Sequence, residues 1–137
     1  MHYIHSMIRT LDLDATMDFF KLLGFCETRT IESQEGRYTL VFMAPPGEAL
    51  EIEITFNWDQ TDTYGSGRAF GHLAYMVDDI YALCQKLVDA GVTINRPPRD
   101  GKMAFIRTPD GVSLELVQDG QLEPAEPWLS MSNIGSW

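Results

Sequence analysis

The chain has 137 residues, of which 45% are hydrophobic and 11% aromatic, and this size and composition are typical of one globular domain. Its formal net charge of −10 argues against nucleic acid and anionic membranes as partners, because both would repel it. No stretch reaches the roughly 20 apolar residues of a membrane-spanning helix, and the N-terminal residues lack the pattern of a secretory signal. We therefore expect a cytoplasmic protein whose two cysteines, Cys26 and Cys84, are buried and reduced.

The first half of the chain predicts a strand, a helix and three further strands. Residues 3–9 alternate in the manner of a strand, and Asp14 is placed to cap a helix over 15–23. Gly24 then suits the C-terminus of that helix. Beyond it the pattern changes to short runs rich in branched and aromatic residues, separated by turn signals, and these runs are FCETRTIE, RYTLVFMA and ALEIEITFNW.

The second half repeats this order after the polar connection WDQTDTYGSGRA. A strand begins at His72, and Asp78 or Asp79 caps a helix predicted over 80–90 before Gly91. Three short runs follow again, VTINR, MAFIRT and VSLELVQ. The spacing matches as well, because the glycine comes 19 residues after the histidine in both halves, from His5 to Gly24 and from His72 to Gly91.

This internal repeat decides the predicted fold. We expect an α+β protein with two tandem βαβββ units, over about residues 2–58 and 68–118, because neither half could cover its sheet alone. Together the units are expected to form a single domain over 1–118. The tail, 119–137, is expected either to fray or to dock through its tryptophans on the body or on a partner chain.

Strand alternation singles out four candidate metal ligands. His5 and His72 lie on the first strand of each half, and Glu53 and Glu115 lie on the last. If the halves form related sheets, the four side chains converge in the concavity between them as a His2Glu2 set with two open positions. Imidazole suits nickel, zinc, cobalt or iron, and open positions favour catalysis over scaffolding. Glu51 shares the face of Glu53 but is expected merely to face water.

Several segments resemble glyoxalase I, the lactoylglutathione lyases of the vicinal oxygen chelate superfamily. They are HSMIRTLDLDATMDFFKLLGF, EIEITFNW, GRAFGHLAYMVDD and TPDGVSLELV, and the resemblance covers roughly residues 3–118. It implies the vicinal oxygen chelate fold and methylglyoxal detoxification. Enzymes of this family isomerise the hemithioacetal of methylglyoxal and glutathione to S-lactoylglutathione through an enediolate.

The resemblance also implies roles for the candidate site. A metal held by His5, Glu53, His72 and Glu115 would polarise the two oxygens of the substrate. Glu115 would move the proton between the two carbons, and Glu53 would be a ligand and a second base.

The residues that would bind glutathione, the cosubstrate, also come from the resemblance. Arg9, Asn57 and Arg68 match family positions that hold the glutathione carboxylates, for which guanidinium and amide donors are suited. Lys102 and Met103, in the segment GKM, resemble the loop that binds the glycine carboxylate of glutathione.

Family members of this length are usually homodimers in which each metal is shared between subunits. The resemblance therefore implies a homodimer with active sites at the subunit interface, His5 and Glu53 coming from one chain and His72 and Glu115 from the other. The short form is similar to the nickel- or cobalt-activated group, with zinc as a further candidate.

Three alternatives remain open at this point. One is an extradiol dioxygenase, which would use two histidines and one carboxylate on iron and leave Glu53 spare. Another is a glutathione or other thiol transferase of the same superfamily. The third is a metal-free protein that sequesters small molecules. Ser113 also departs from the bulky aromatic residue of many relatives, and a smaller side chain there would open the pocket to other aldehydes.

Overall fold

The computed structural model describes residues 4–65, 67 and 70–136. The strands and helices follow one another in the order β1 (His5–Thr10), α1 (Leu13–Leu22), β2 (Cys26–Ser33), β3 (Tyr38–Ala44), β4 (Glu51–Asn57), β5 (His72–Val77), α2 (Ile80–Asp89), β6 (Met103–Arg107) and β7 (Ser113–Gln118). The chain divides into two compact units, Met1–Gly65 and Ser66–Trp137. This α+β architecture confirms the predicted fold class.

The first unit is a four-stranded sheet with one helix. Its strand order is β1-β4-β3-β2, with β1 parallel to β4 and the other pairs antiparallel. The helix packs against β4, and its Phe20 is fully buried against the ring of Phe25, 5.2 Å away. Ile52 and Ile54 of β4 fill the rest of this core because alternate residues of a strand face the same side. Their neighbours Glu51 and Glu53 consequently lie on the opposite face.

Both helices begin at an aspartate, but the first does so earlier than predicted. The side chain of Asp12, not Asp14, accepts a hydrogen bond of 2.9 Å from the backbone N–H of Ala15. Thr10 bonds to the backbone of Asp12 and so holds the turn that brings Asp12 to the cap. In the second helix the cap is Asp79, one of the two aspartates that the sequence offered.

The second unit is a three-stranded sheet of order β5-β7-β6, with β5 parallel to β7. The predicted strand VTINR is wrong, because only an isolated bridge between Arg96 and Phe105 is found there. Pro97 and Pro98 follow directly and have no N–H to continue a ladder. The guanidinium of Arg96 instead binds the carboxylate of Asp100 and the carbonyl of Met103.

The C-terminal tail docks on the second unit. Trp128 is only 4% exposed, and Asn95 exchanges two hydrogen bonds, of 2.8 and 3.0 Å, with the backbone of Ile134. Arg107 donates to the carbonyl of Ser136. Of the two expectations for the tail, docking is therefore confirmed for the described residues, while Trp137 lies outside them.

The cysteines differ in exposure. Both are free, but Cys26 is exposed on the edge strand β2, so the expectation of two buried thiols is wrong for it. Cys84 is buried on α2, and burial raises the pKa of its thiol to about 12. No helix in the part of the chain that the structure describes is long and apolar enough to cross a lipid bilayer.

Gly101→Ala is expected to destabilise the protein more than Gly24→Ala. Both glycines have a positive φ, which costs about 1 kcal/mol or more for alanine. A Cβ on Gly101 would also collide with the carbonyl group of Leu122 in the tail, whereas one on Gly24 would meet no atom within 4 Å. In urea unfolding, the free energy of unfolding should fall by at least about 1 kcal/mol more for Gly101→Ala than for Gly24→Ala. Equal losses would contradict the docked position of the tail.

Candidate metal centre

A histidine and a glutamate lie side by side on the open face of the first unit. The Nε2 atom of His5 is 3.1 Å from an Oε2 of Glu53. His5 is paired with Glu51 across the β1–β4 ladder and Met7 with Glu53, so the two side chains meet on a diagonal, two residues apart in register. The side chains are 29% and 14% exposed, which leaves them partly shielded yet open to a ligand.

The second unit repeats this arrangement. Nε2 of His72 is 3.1 Å from Oε2 of Glu115. His72 is paired with Ser113 and Ala74 with Glu115, which is the same two-residue offset between parallel strands. The side chains are 43% and 18% exposed. The predicted histidines and glutamates are thus brought together as two matching pairs, one in each unit.

The repeat extends to a phenylalanine that the sequence reasoning missed. Phe42 of β3 contacts His5 edge-on, with ring centroids 5.7 Å apart, and Phe105 of β6 contacts His72 at 5.4 Å. Phe42 is the ladder partner of Glu53, and Phe105 that of Glu115. Each imidazole is therefore oriented by an aromatic ring on one side and a carboxylate on the other. A phenylalanine on the strand that precedes the glutamate strand in both halves was the available signal.

The sequence suggested that Glu51 merely faces water, but its carboxylate has hydrogen-bond partners of its own. Arg29 donates to its carboxylate at 2.8 Å, and Thr28 donates to the other oxygen. The hydrogen bonds from Arg29 and Thr28 hold the pKa of Glu51 below its usual value. Arg29 also stacks on Phe42, with its guanidinium carbon 3.4 Å from the ring centroid. Glu51 therefore holds the guanidinium of Arg29, which in turn packs on the ring of Phe42 beside His5.

Ser113 occupies the position in the second unit that Glu51 occupies in the first. It is 6% exposed, and its hydroxyl has no hydrogen-bond partner among the residues that the structure describes. Leaving a buried hydroxyl unpaired costs about 1–3 kcal/mol, so such groups usually serve a ligand or a bound water. Ser113 lies on the same face as Glu115, two residues before it, and a ligand or a bound water there would satisfy its hydroxyl.

The donor atoms fit a metal ion. Two ligand atoms at adjacent positions of an octahedral ion, each about 2.1 Å from it, lie about 3 Å apart. Both pairs have this separation, and each offers one imidazole nitrogen and one carboxylate oxygen. No group of three or more histidine, cysteine or acidic side chains able to hold a metal is found within residues 4–65, 67 and 70–136. Each unit by itself therefore presents two potential metal ligands, one imidazole and one carboxylate.

The predicted glutathione-binding residues of the first unit lie along the same face. Arg9 is exposed on β1, opposite Thr55 in the ladder. Asn57 ends β4, and its side-chain oxygen accepts a hydrogen bond of 3.3 Å from Tyr64. Arg68 lies outside the described residues.

Lys102 and Met103 lie where the loop after Asp100 enters β6. The ammonium of Lys102 donates to the carbonyls of Gln118 and Gly120, so it is engaged within its own unit. Burial opposes ionisation of Asp100, but hydrogen bonds from Arg96 and from two backbone N–H groups outweigh it and lower its pKa to about 2. Met103 is the first residue of β6 and is half-buried. The Arg96–Asp100 ion pair and the hydrogen bonds of Lys102 thus hold the loop in place.

Comparison with known proteins identifies the family. The family model of the Glyoxalase/Bleomycin resistance protein/Dioxygenase superfamily matches residues 2–116. A lactoylglutathione lyase of Haemophilus influenzae is 40% identical over 127 residues, covering 87% of this chain and 93% of the relative. A probable lactoylglutathione lyase of Vibrio parahaemolyticus is 40% identical over 126 residues, covering 86% of this chain and 91% of the relative.

A solved structure agrees with these sequence matches. The trypanothione-dependent glyoxalase I of Leishmania major is similar with a TM-score of 0.79 and 34% identity, and the match covers 86% of both chains. Likeness of this extent in both sequence and structure means that the chain belongs to the Glyoxalase/Bleomycin resistance protein/Dioxygenase superfamily and, within it, to the lactoylglutathione lyases, the glyoxalase I family.

Proposed function

We propose that the chain isomerises the hemithioacetal of methylglyoxal and glutathione to S-lactoylglutathione, with one divalent metal held by His5, Glu53, His72 and Glu115. The observation that carries this proposal is the pair of matching histidine–glutamate contacts, 3.1 Å each, in a chain of this family. A diagonal ion pair alone contributes little to stability, so two pairs with identical strand register support a shared role in binding rather than two separate structural roles.

The donor set suits an ion that accepts both imidazole and carboxylate. Nickel and cobalt accept this combination in six-coordinate form and leave two positions for the substrate, and zinc is the further candidate. When bound, the metal would polarise the substrate oxygens and stabilise the negative charge that develops when the carbon-bound proton leaves. The exposure of His72, 43%, leaves room for a second set of ligands to approach from outside its own unit.

Glu115 carries the proton transfer in this proposal. It removes the proton from one carbon of the substrate and returns it to the neighbouring carbon, so a single carboxylate serves both steps. Its side chain is 18% exposed, which is enough for contact with a ligand but excludes most water. Glu53 remains a ligand and lies next to His5 of its own unit.

Residues beyond the metal would bind the glutathione part of the substrate. Arg9 presents an exposed guanidinium on the face of His5, which suits a carboxylate of glutathione. Asn57 offers an amide, and Arg68 completes this group. Lys102 would reach the glycine carboxylate by releasing one of its two carbonyl partners, with Met103 beside it. Glutathione is kept reduced in the cytoplasm, which is where we place the enzyme.

We further propose a homodimer in which each site combines the first unit of one chain with the second unit of the other. Each unit holds one complete histidine–glutamate pair and none of the described residues adds a third ligand to it. Two half-sites from two chains related by a two-fold axis would give two equivalent metal centres per dimer.

The dioxygenase alternative receives less support. It would need an iron site of two histidines and one carboxylate, with Glu53 spare. Glu53 is instead as closely paired with its histidine as Glu115 is. A four-ligand site explains both contacts.

Metal removal and replacement should restore activity only when both glutamates are present. Protein stripped with a chelator and resupplied with nickel, cobalt or zinc is expected to regain thioester formation from methylglyoxal and glutathione. Glu115→Gln should lower kcat by about 100-fold or more, because it removes the base. Glu53→Gln should lose metal as well as activity.

Glu51→Gln is the matched control for Glu53→Gln, since both residues lie on the same face of β4. We expect it to keep its metal, because its carboxylate is bound to Arg29. Metal is measured by elemental analysis after gel filtration. Glu53→Gln protein that still holds a full equivalent of metal would contradict the four-ligand proposal.

Mixing two inactive variants tests the shared site. His5→Ala and His72→Ala homodimers should both lack activity, because each breaks every site. In a heterodimer both defects fall in one site and leave the other intact. A refolded equimolar mixture should therefore recover about a quarter of wild-type activity. No recovery, with heterodimers demonstrated by mass spectrometry, would mean that the site lies within one chain.

A further inference from the structure

The surroundings of the two histidine–glutamate pairs can be compared directly because the pairs themselves match. They share strand register, distance and the supporting phenylalanine. Neighbours that differ between them therefore indicate different tasks. The clearest difference is the residue two positions after each glutamate, which faces the same side of the strand. It is Thr55 after Glu53 and Val117 after Glu115.

Thr55 holds Glu53 in place. Its hydroxyl donates to Oε1 of Glu53 at 3.0 Å, while Oε2 of the same carboxylate lies 3.1 Å from His5. Thr55 is only 7% exposed, so water competes poorly for this hydrogen bond. Both oxygens of Glu53 therefore have fixed partners, and rotation of the carboxylate would break at least one contact.

Glu115 has no such support from its strand. Val117 offers two methyl groups where Thr55 offers a hydroxyl, and the ladder partners of Val117 are Met76 and Met103. The row beyond Glu115 is therefore apolar. Among the residues that the structure describes, the side chain found in polar contact with Glu115 is His72. No hydrogen bond from a described residue is found at its second oxygen.

We propose that Thr55 is a positioning residue that keeps Glu53 as a permanent metal ligand, whereas Val117 leaves Glu115 free to turn away and move the substrate proton. This inference rests on the proposed function and adds to it the reason why two equivalent glutamates divide the work. A hydrogen bond to the second oxygen of a ligating carboxylate orients it, and loss of such support typically weakens metal binding about 10- to 100-fold. A base, in contrast, must change its contacts during the reaction.

Exchange of the two residues tests the inference. Thr55→Val, which preserves shape, is expected to raise the Kd for nickel about 10- to 100-fold in competition with a chelator. Thr55→Ser keeps the hydroxyl and should recover most of that affinity. Val117→Thr should place a hydroxyl beside Glu115 and lower kcat about tenfold at saturating nickel, with KM little changed, because it restrains the base.

Thr30→Val is the matched control. Thr30 donates to Glu27 at 2.7 Å on β2 of the same sheet, so this variant also removes a threonine–glutamate hydrogen bond. It should leave the Kd for nickel unchanged. Urea unfolding of all variants shows whether they are folded. If Thr55→Val does not fold, the effect of Val117→Thr on kcat still tests the inference.

Two results would overturn the inference. An unchanged nickel Kd in folded Thr55→Val would show that Glu53 needs no support, and an unchanged kcat in Val117→Thr would show that Glu115 needs no freedom. Failure of the proposed function looks different, because Glu53→Gln would then bind nickel as the wild type does, whatever the residue at 55.

Discussion

The parallel pairing of the first strand with the last is the constraint on which each unit depends. It brings His5 to Glu53 through β1 and β4, and His72 to Glu115 through β5 and β7. Parallel neighbours cannot be joined by a tight turn, so the helix and the remaining strands form the long connection between them. The same connection supplies the core that rigidifies the pair. A histidine–glutamate pair built from the two ends of a unit exists only when the whole unit is folded.

The two units have diverged around this common element. In the first, the position opposite the histidine is Glu51, which binds Arg29, and in the second it is the buried Ser113. The position two residues after the glutamate, on the same face, is Thr55 in the first unit and Val117 in the second. Under the proposed function, such differences between the two halves let substrate orientation and proton transfer become distinct tasks, since the geometry of the histidine–glutamate pair is preserved.

Much of the fold and the pairs was predictable because they follow from local periodicity. The histidine-to-glycine spacing revealed the repeat, and strand alternation placed Glu53 and Glu115 on the histidine faces. What failed had other causes: the cap lies at Asp12 because the hydroxyl of Thr10 holds that turn, and Pro97 and Pro98 limit the predicted strand to an isolated bridge at Arg96. The support of Glu51 by Arg29 joins residues from different strands, and no period of two or of 3.6 reports such contacts.

The coordination of nickel in the reconstituted protein tests the central claim most directly. Elemental analysis gives the number of ions per chain, and X-ray absorption spectroscopy gives the number of imidazole ligands on each ion. The account predicts one nickel per chain with two imidazoles and otherwise oxygen ligands. Two ions per chain with one imidazole each would mean that the pairs act separately, and a sulfur ligand would place the metal elsewhere; either result would contradict the account.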